Sequence, residues 1–398
     1  MNMENLLHVG AWLLSAQLSA VLVYLAVELS VGLVRAAGHR SARSKVNLNG
    51  VILVPAHNEA LGIAETVIAL RTAAPNYRIV VIADNCTDET ASLAQSAGAE
   101  AIIRSDISQK GKGFALSFGR DYLAKAPPDA VIVIDADCRL SQGSADILVA
   151  RAVQGSCPVQ GVNLLVAGSA ISPLASISNF AMLVKNLVRA RGLARIAGGT
   201  LLFGTGMAFP WSLFQRLDLA TSDMVEDLQL GLSLARQGIK IGFEDRALVT
   251  SPAASDSDSK GQRSRWEHGF LQTAIRNAIP LFLLGIRHRS RHLLIISIHM
   301  MVPPLAMLMI LSLIAVLLLT FFWFFSGVNG PLFPLVMCLA LVTLLLLAAW
   351  LMEGRKVLSG KSLLMVPIYI LWKVPIYVRF FTNRQMGWNR TQRDGEQP

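Results

Sequence analysis

The chain has 398 residues, 53% of them hydrophobic, and a formal charge of +10. A mean hydropathy of +0.49 is too apolar for an ordinary soluble protein. Much of the basic excess flanks long apolar stretches, and no basic patch is interleaved with aromatics in the block between the first two, which counts against a nucleic-acid partner. The four cysteines, Cys86, Cys138, Cys157 and Cys338, form no CxxC pair, so they carry no zinc or dithiol signature.

Residues 6–34 form the first apolar stretch, longer than the roughly 20 helical residues needed to cross a bilayer core. Its amino end lacks Lys and Arg, which favours an anchor over a signal peptide. Glu28 lies within it. Arg35, His39, Arg40, Arg43 and Lys45 follow, and the positive-inside rule places them in the cytoplasm.

"GVILVPAHNEA" reads as a strand from Val51 to Val54 that ends at Pro55. Helical spacing follows, with Leu61, Val67, Ile68 and Leu70 on one side. "RIVVIADNCTDETASLAQSAG" repeats the pattern: a strand from Ile79 to Ala83, Asp84 at its end, then a helix opened by Thr87, Asp88 and Glu89 and closed by Gly98. "AEAIIRS" is a third strand, and "KGKGFALSFGRDYLAKA" is a turn and helix. "AVIVIDADCRL" is a fourth strand, buried on both faces, that runs into Asp135 and Asp137.

Strands alternating with helices predict a parallel sheet of βαβ units. Ligands bind such sheets outside the carboxyl ends of the strands, where His57, Asn58, Glu59, Asp84, Asp135 and Asp137 all fall. On a strand, period two would aim Asp135 and Asp137 the same way. Two carboxylates held together call for a cation, and Mg²⁺ favours one or two carboxylates plus phosphate oxygens. The plainer alternative is a solvated Asp-rich turn. Cys138 reads as a small buried apolar residue.

Further along, "DMVEDLQLGLSLARQG" opens a helix with Glu226 and Asp227, gives it an apolar face from Leu228, Leu232, Leu234 and Ala235, and ends it at Gly238. Carboxylates in a first turn suit the helix dipole, and one of them could equally serve as a general base. "SPAASDSDSKGQRSR" reads as a flexible loop before a helix. Gln262, Arg265 and Trp266 follow at Q-x-x-R-W spacing, in which Arg can clamp a diphosphate and Trp can stack on a ring.

Residues 293–325 and 331–352 are two more spans, preceded by Arg287, His288, Arg289, Arg291 and His292. Lys373 and two prolines within 362–381, and the segment 267–285, mark interfacial helices rather than spans. The expected organisation is an anchor at 1–40, an α/β domain at 41–266, an interfacial helix and basic linker at 267–292, two membrane helices within 293–352, and an interfacial helix with a basic tail at 353–398.

In order, "VPAHNE", "ADNCTD", "DAD", "FGTGMAF", "VED" and "QRSRW" resemble the motifs of membrane-bound family 2 glycosyltransferases of the polysaccharide-synthase kind, over about residues 48–285. The resemblance implies a GT-A domain, Rossmann-like with a mostly parallel sheet, inserted between transmembrane helices. It implies that Pro55, Glu59 and Asp84 hold the nucleotide, that Asp135 lies beside it, and that Lys112 helps with the phosphates, with Lys110 as the alternative. By the same resemblance Asp137 carries Mg²⁺ or Mn²⁺, and Asp227 is the base. Gln262, Arg265 and Trp266 would close over the donor diphosphate. Gly204, Thr205, Glu226 and Trp266 would face the acceptor. Val225 stands where many members have Thr, and the "FGTGMAF" loop lacks a Cys often found there.

The implied reaction is an inverting transfer from a nucleoside-diphosphate sugar, most simply a UDP-sugar, to a hydroxyl of a lipid-linked or growing saccharide. The implied setting is the inner membrane, with the catalytic domain in the cytoplasm, in exopolysaccharide assembly. A partner subunit or homo-oligomer is expected if the product is a polymer, because three spans are few to wall a channel. Single-sugar transfer to a membrane lipid, as in enzymes resembling ceramide glucosyltransferase, is the alternative. A sugar nucleotidyltransferase would need a Gly-rich phosphate loop where this chain has "PAHNEA". A transporter would leave the cytoplasmic motifs unexplained.

Overall fold

A computed structural model describes residues 3–35, 48–166, 172–221, 225–252 and 256–382; the side chains of residues 3, 256–265 and 381 lie outside this description. The chain forms two compact units that interleave in sequence. One comprises Ala36–Ala170 and Ala197–Phe270, and the other Met1–Arg35, Ile171–Ile196 and Leu271–Gln385. The α/β region expected as one block from 41 to 266 is therefore interrupted by residues 171–196.

The first unit is built on β1 (Gly50–Ala56), β2 (Arg78–Asp84), β3 (Glu100–Arg104), β4 (Ala130–Val133), β5 (Arg139–Leu140), β6 (Val159–Val166), β7 (Met207–Pro210) and β8 (Gly242–Pro252). They form a single sheet in the order β3-β2-β1-β4-β7-β6-β8-β5. The β3, β2, β1 and β4 strands are mutually parallel, while β7 enters antiparallel between β4 and β6. The runs of Val and Ile become strands because both of their faces are covered. Alternation sorts Ile52, Val54, Val81 and Ile132 into one core, and Val51, Leu53, Val80, Ile82, Val131 and Val133 into another. Strand order reverses between β1 and β4, and a ligand crevice opens at the carboxyl ends of strands flanking such a reversal.

Three local expectations change. The Ile63–Ala73 helix buries Ile63, Thr66, Val67 and Leu70, whereas Leu61 and Ile68 are exposed, because the helix starts two residues after Leu61 and turns a different stripe inward. Strand β4 stops at Val133, so Asp135 and Asp137 lie in a turn, closed by Cys138 N–H donating to Asp135 O at 3.0 Å, and strand alternation does not apply to them. Most of the expected Ser/Asp loop is regular: β8 runs to Pro252, and a 32-residue helix starts at Asp256.

The second unit is helical. Among the described residues, four helices are long and apolar enough to cross a membrane: Glu4–Leu33, Trp266–Arg287, which begins in the first unit, Leu305–Ser326 and Leu332–Gly354. The 293–325 stretch is not one helix. It breaks at Val302–Pro304 into Arg291–Met301 and Leu305–Ser326, because successive prolines cannot supply the amides a helix needs. Most of the 362–381 region is a Val366–Thr382 helix in which Lys373 is buried beside the stacked Tyr369 and Trp372 rings.

Glu28, fully buried, accepts from Arg189 Nε and His299 Nδ1, each at 2.6 Å. The terminal carbonyls of its helix, which have no partner inside the helix, are taken by Arg191 on Gly32 at 3.0 Å and by Arg195 on Val31 at 2.7 Å. A Cβ on Gly32 would come within 2.0 Å of Val188 O, and one on Gly192 within 2.1 Å of Glu28 O. Both glycines therefore permit backbones to touch where the two segments cross.

Candidate active site

The loops after β1 and β2 are bound to each other. Asn58 and Asn85 adopt left-handed conformations, with φ of 53° and 52°. Asn58 N–H donates to Cys86 Sγ at 3.3 Å, and Thr87 N–H donates to Asn58 Oδ1 at 2.7 Å. Glu59 N–H donates to Thr90 Oγ1 at 2.7 Å. This lattice fixes Pro55, in register with Ile82, and Glu59 beside the end of β2.

Asp84 ends β2 inside the unit. Its Oδ1 meets Arg104 Nη1 from β3 at 2.6 Å. Asn85 completes the corner, donating to Asp106 O at 3.0 Å and accepting from Asp106 N–H at 2.7 Å.

Gly111, with φ of 134°, turns the chain into the Lys112–Leu123 helix. Lys112 Nζ donates to Asp135 Oδ1 and to Gly204 O, the latter at 2.6 Å. Asp135 N–H donates to Thr205 Oγ1 at 3.1 Å. A Cβ on Gly204 would lie 3.3 Å from Asp227 Oδ2 and 3.9 Å from Lys112 Nζ. Lys112, Asp135, Gly204, Thr205 and Asp227 thus meet at one point, with Glu226 adjoining Asp227 in the first turn of the Glu226–Arg236 helix.

The charges are mutually dependent. Burial raises the Glu226 carboxyl to about 7; Asp227 and Asp135 reinforce the rise and Lys112 opposes it. Burial also raises Asp135, against the pull of Lys112. Burial alone would lower Lys112, but Asp135, Glu226 and Asp227 outweigh it and hold the ammonium charged.

Asp137 lies beside Cys138, whose buried thiol contacts Asp137 Oδ1 at 3.3 Å and Ser251 Oγ at 3.1 Å. Among the described residues no group of three or more His, Cys, Asp or Glu side chains is placed to hold a metal alone. The donor set instead fits a hard cation that takes one or two carboxylates here and the rest of its oxygens from a diphosphate and water.

Trp266 is partly buried on the Asp256–Arg287 helix; Gln262 and Arg265 lie on the same helix with side chains outside the described residues. One turn after Trp266, a Cβ on Gly269 would stand 2.7 Å from Val225 Cγ1. Val225 therefore meets this helix with an apolar side chain immediately before Glu226.

Arg104, Asn85 and Gln160 went unread in the sequence. Arg104 closes the apolar run Ala101–Ile103 and Gln160 interrupts another, and a polar residue set against apolar neighbours is the signal that could have marked each.

A mostly parallel sheet with a carboxylate pair just after its switch-point strand, and Glu226 and Asp227 opening a nearby helix, has the architecture of a GT-A glycosyltransferase fold. A mannosyltransferase from Pyrobaculum calidifontis, solved with GDP-Man and Mn²⁺, shares this fold with a TM-score of 0.57 and 15% identity, over 94% of this chain and 99% of its own. Protein RfbJ of Shigella flexneri is 28% identical over 103 residues, 26% of this chain and 75% of RfbJ. The family described as glycosyltransferase like family 2 matches residues 50–269, more than half of the chain, and the chain belongs to that family.

Proposed function

We propose that the protein is an inverting hexosyltransferase. It takes a sugar from a nucleoside-diphosphate sugar and places it on a hydroxyl of a lipid-linked or growing saccharide at the membrane, in bacterial exopolysaccharide assembly. The observation that carries this reading is the meeting of Asp227 with the Lys112–Asp135 pair across Gly204.

In this reading Pro55, Glu59 and Asp84 seat the nucleotide. Asp227 accepts the proton of the acceptor hydroxyl as its oxygen bonds to the anomeric carbon. The bond from that carbon to the diphosphate oxygen breaks on the opposite face, inverting the centre. Lys112, with the amino end of its helix, and Arg265 stabilise charge on the departing diphosphate. Thr205, Glu226 and Trp266 border the acceptor. Asp137, with Asp135 beside it, would hold Mg²⁺ or Mn²⁺, which supplies charge neutralisation at the diphosphate when bound. The basic residues that follow the first helix support a cytoplasmic placement of the α/β unit at the inner membrane.

The test is nucleoside-diphosphate release by the full chain in native-lipid nanodiscs. The donor panel includes UDP-sugars and GDP-mannose, with and without Mn²⁺ or Mg²⁺, beside Asp137→Ala and Asp227→Asn. Metal-dependent release from one donor, lost in both variants, supports the reading. No release and no donor binding in the same sample sinks it. Sizing the product separates a polymer from a glycolipid.

A further inference from the structure

Gln160 is a fully buried polar side chain on β6, and its carboxamide is committed on both sides. Nε2 donates to Thr205 O at 2.8 Å and to Gly161 O at 2.9 Å, and Oε1 accepts from Phe203 N–H at 2.8 Å. These partners belong to the loop that carries Gly204 and Thr205. Pairing between β6 and β7 covers only Val159–Ala208 and Gln160–Met207. Just beyond, the loop turns through Gly204 and Gly206, with φ of 87° and 69°, and β6 shifts register against β8 between Gly161 and Val162. One more backbone rung follows, Gly161 N–H donating to Gly206 O at 2.9 Å, and the ladder between these strands gives out beyond it, at Phe203–Thr205. A carboxamide carries the donor and acceptor pattern of a peptide group, so it can replace the missing rung.

We propose that Gln160 is a positioning residue of the transfer site: its side chain acts as a surrogate sheet rung that sets the Phe203–Gly206 loop against Lys112, Asp135 and Asp227. The proposal rests on the transferase reading for its kinetic consequence. The chain of contacts is short. Gln160 fixes Thr205 O and Phe203 N; between them Gly204 O receives Lys112, and Thr205 Oγ1 receives Asp135 N–H. Loss of the rung frees the loop without removing any group that touches substrate. A misplacement of about 1 Å at a reacting centre costs on the order of 10²-fold in rate.

The test uses the full chain in nanodiscs with Gln160→Met, which has similar volume and no amide, and Gln160→Glu, which has the same shape. Gln160→Met is expected to lower kcat roughly 10- to 100-fold with the donor KM within about three-fold of the parent. A charged Glu at this position would turn an oxygen toward Thr205 O and Gly161 O, whereas the protonated acid regains one donor. The activity of Gln160→Glu relative to the parent should therefore rise as pH falls from about 8 to about 6. Hydrogen exchange of the unmodified protein gives a readout independent of turnover and of whether the variants fold: the Phe203 amide is expected to be protected, with exchange across 203–206 speeding up in any variant that folds. An unprotected Phe203 amide, an unchanged kcat in Gln160→Met, or a loss confined to KM overturns the proposal. A parent protein that releases no nucleotide defeats the transferase reading instead, and the exchange measurement still decides whether Gln160 holds the loop.

Discussion

Arg104 Nη1 meets Asp84 Oδ1 at 2.6 Å, and both side chains are more than nine-tenths buried. The carboxylate that ends β2 is therefore held from β3 before any nucleotide arrives. Breaking a buried pair by removing one member costs about 3–5 kcal/mol, since the other charge is left uncompensated. Arg104→Met should lower thermal stability markedly and weaken nucleotide affinity together. An unchanged unfolding midpoint would show that the pair does not brace this corner.

Lys112 is the cation that the carboxylates around it share. Lys112→Met should reduce donor-dependent nucleotide release by about 10²–10³-fold, the scale of losing one preorganised electrostatic group. Lys112→Arg should recover little, because a planar fork does not reproduce a point charge set between Asp135 and Gly204 O. Steady-state release assays on both variants check this, and full activity in Lys112→Arg would contradict it.

Glu226 gives a pH signature. Its carboxyl is raised to about 7 in the folded protein, above its unfolded value near 4.5. The folded state therefore binds the extra proton between these values. The stabilisation is complete below about 4.5 and disappears as pH rises through about 7. Thermal midpoints of the parent should fall across that window, and Glu226→Gln should flatten the fall. A parent profile that rises from about pH 5 to about 7 would overturn the assignment.

Gly192 meets the first helix where no side chain fits. Gly192→Ala would force a Cβ against Glu28 O, now 2.1 Å from that position, and should cost about 1–3 kcal/mol through displaced backbone. Detergent thermal-shift measurements would register the loss. The same change at Gly10, which has open space around it, should leave the midpoint in place.

Much of this architecture is visible in local pattern. The Val and Ile runs of β1, β2 and β4 announce two-sided burial, and Glu226–Arg236 shows its buried stripe of Leu228, Leu232, Leu234 and Ala235 directly. The family resemblance carried by motif order implies that Asp135, Thr205 and Asp227 share one site, with Lys112 or Lys110 beside them. Partners set by tertiary contact are invisible at this level. Arg104 and Gln160 are polar residues in largely apolar strands, and only the neighbouring strand or loop shows what they satisfy. Glu28 likewise appears as a lone ionisable residue until Arg189 and His299 arrive from distant segments. The break at Val302–Pro304 is legible in its prolines, but the unbroken hydropathy on either side hides it.

The excursion of residues 171–196 out of the α/β unit also orders events in time. Lys112 and Asp135 are synthesised before it, whereas Gly204, Thr205 and Asp227 come after it, as does β7, which must slot between β4 and β6. At a usual elongation pace the interval from Asp135 to Asp227 is roughly 5–20 s. Throughout that interval the nascent chain holds the strands of its parallel half-sheet, yet it lacks the Gly204–Thr205 loop and Asp227 that complete the cluster around Lys112. Completion of that cluster is thereby deferred during synthesis until the helical segment has been made.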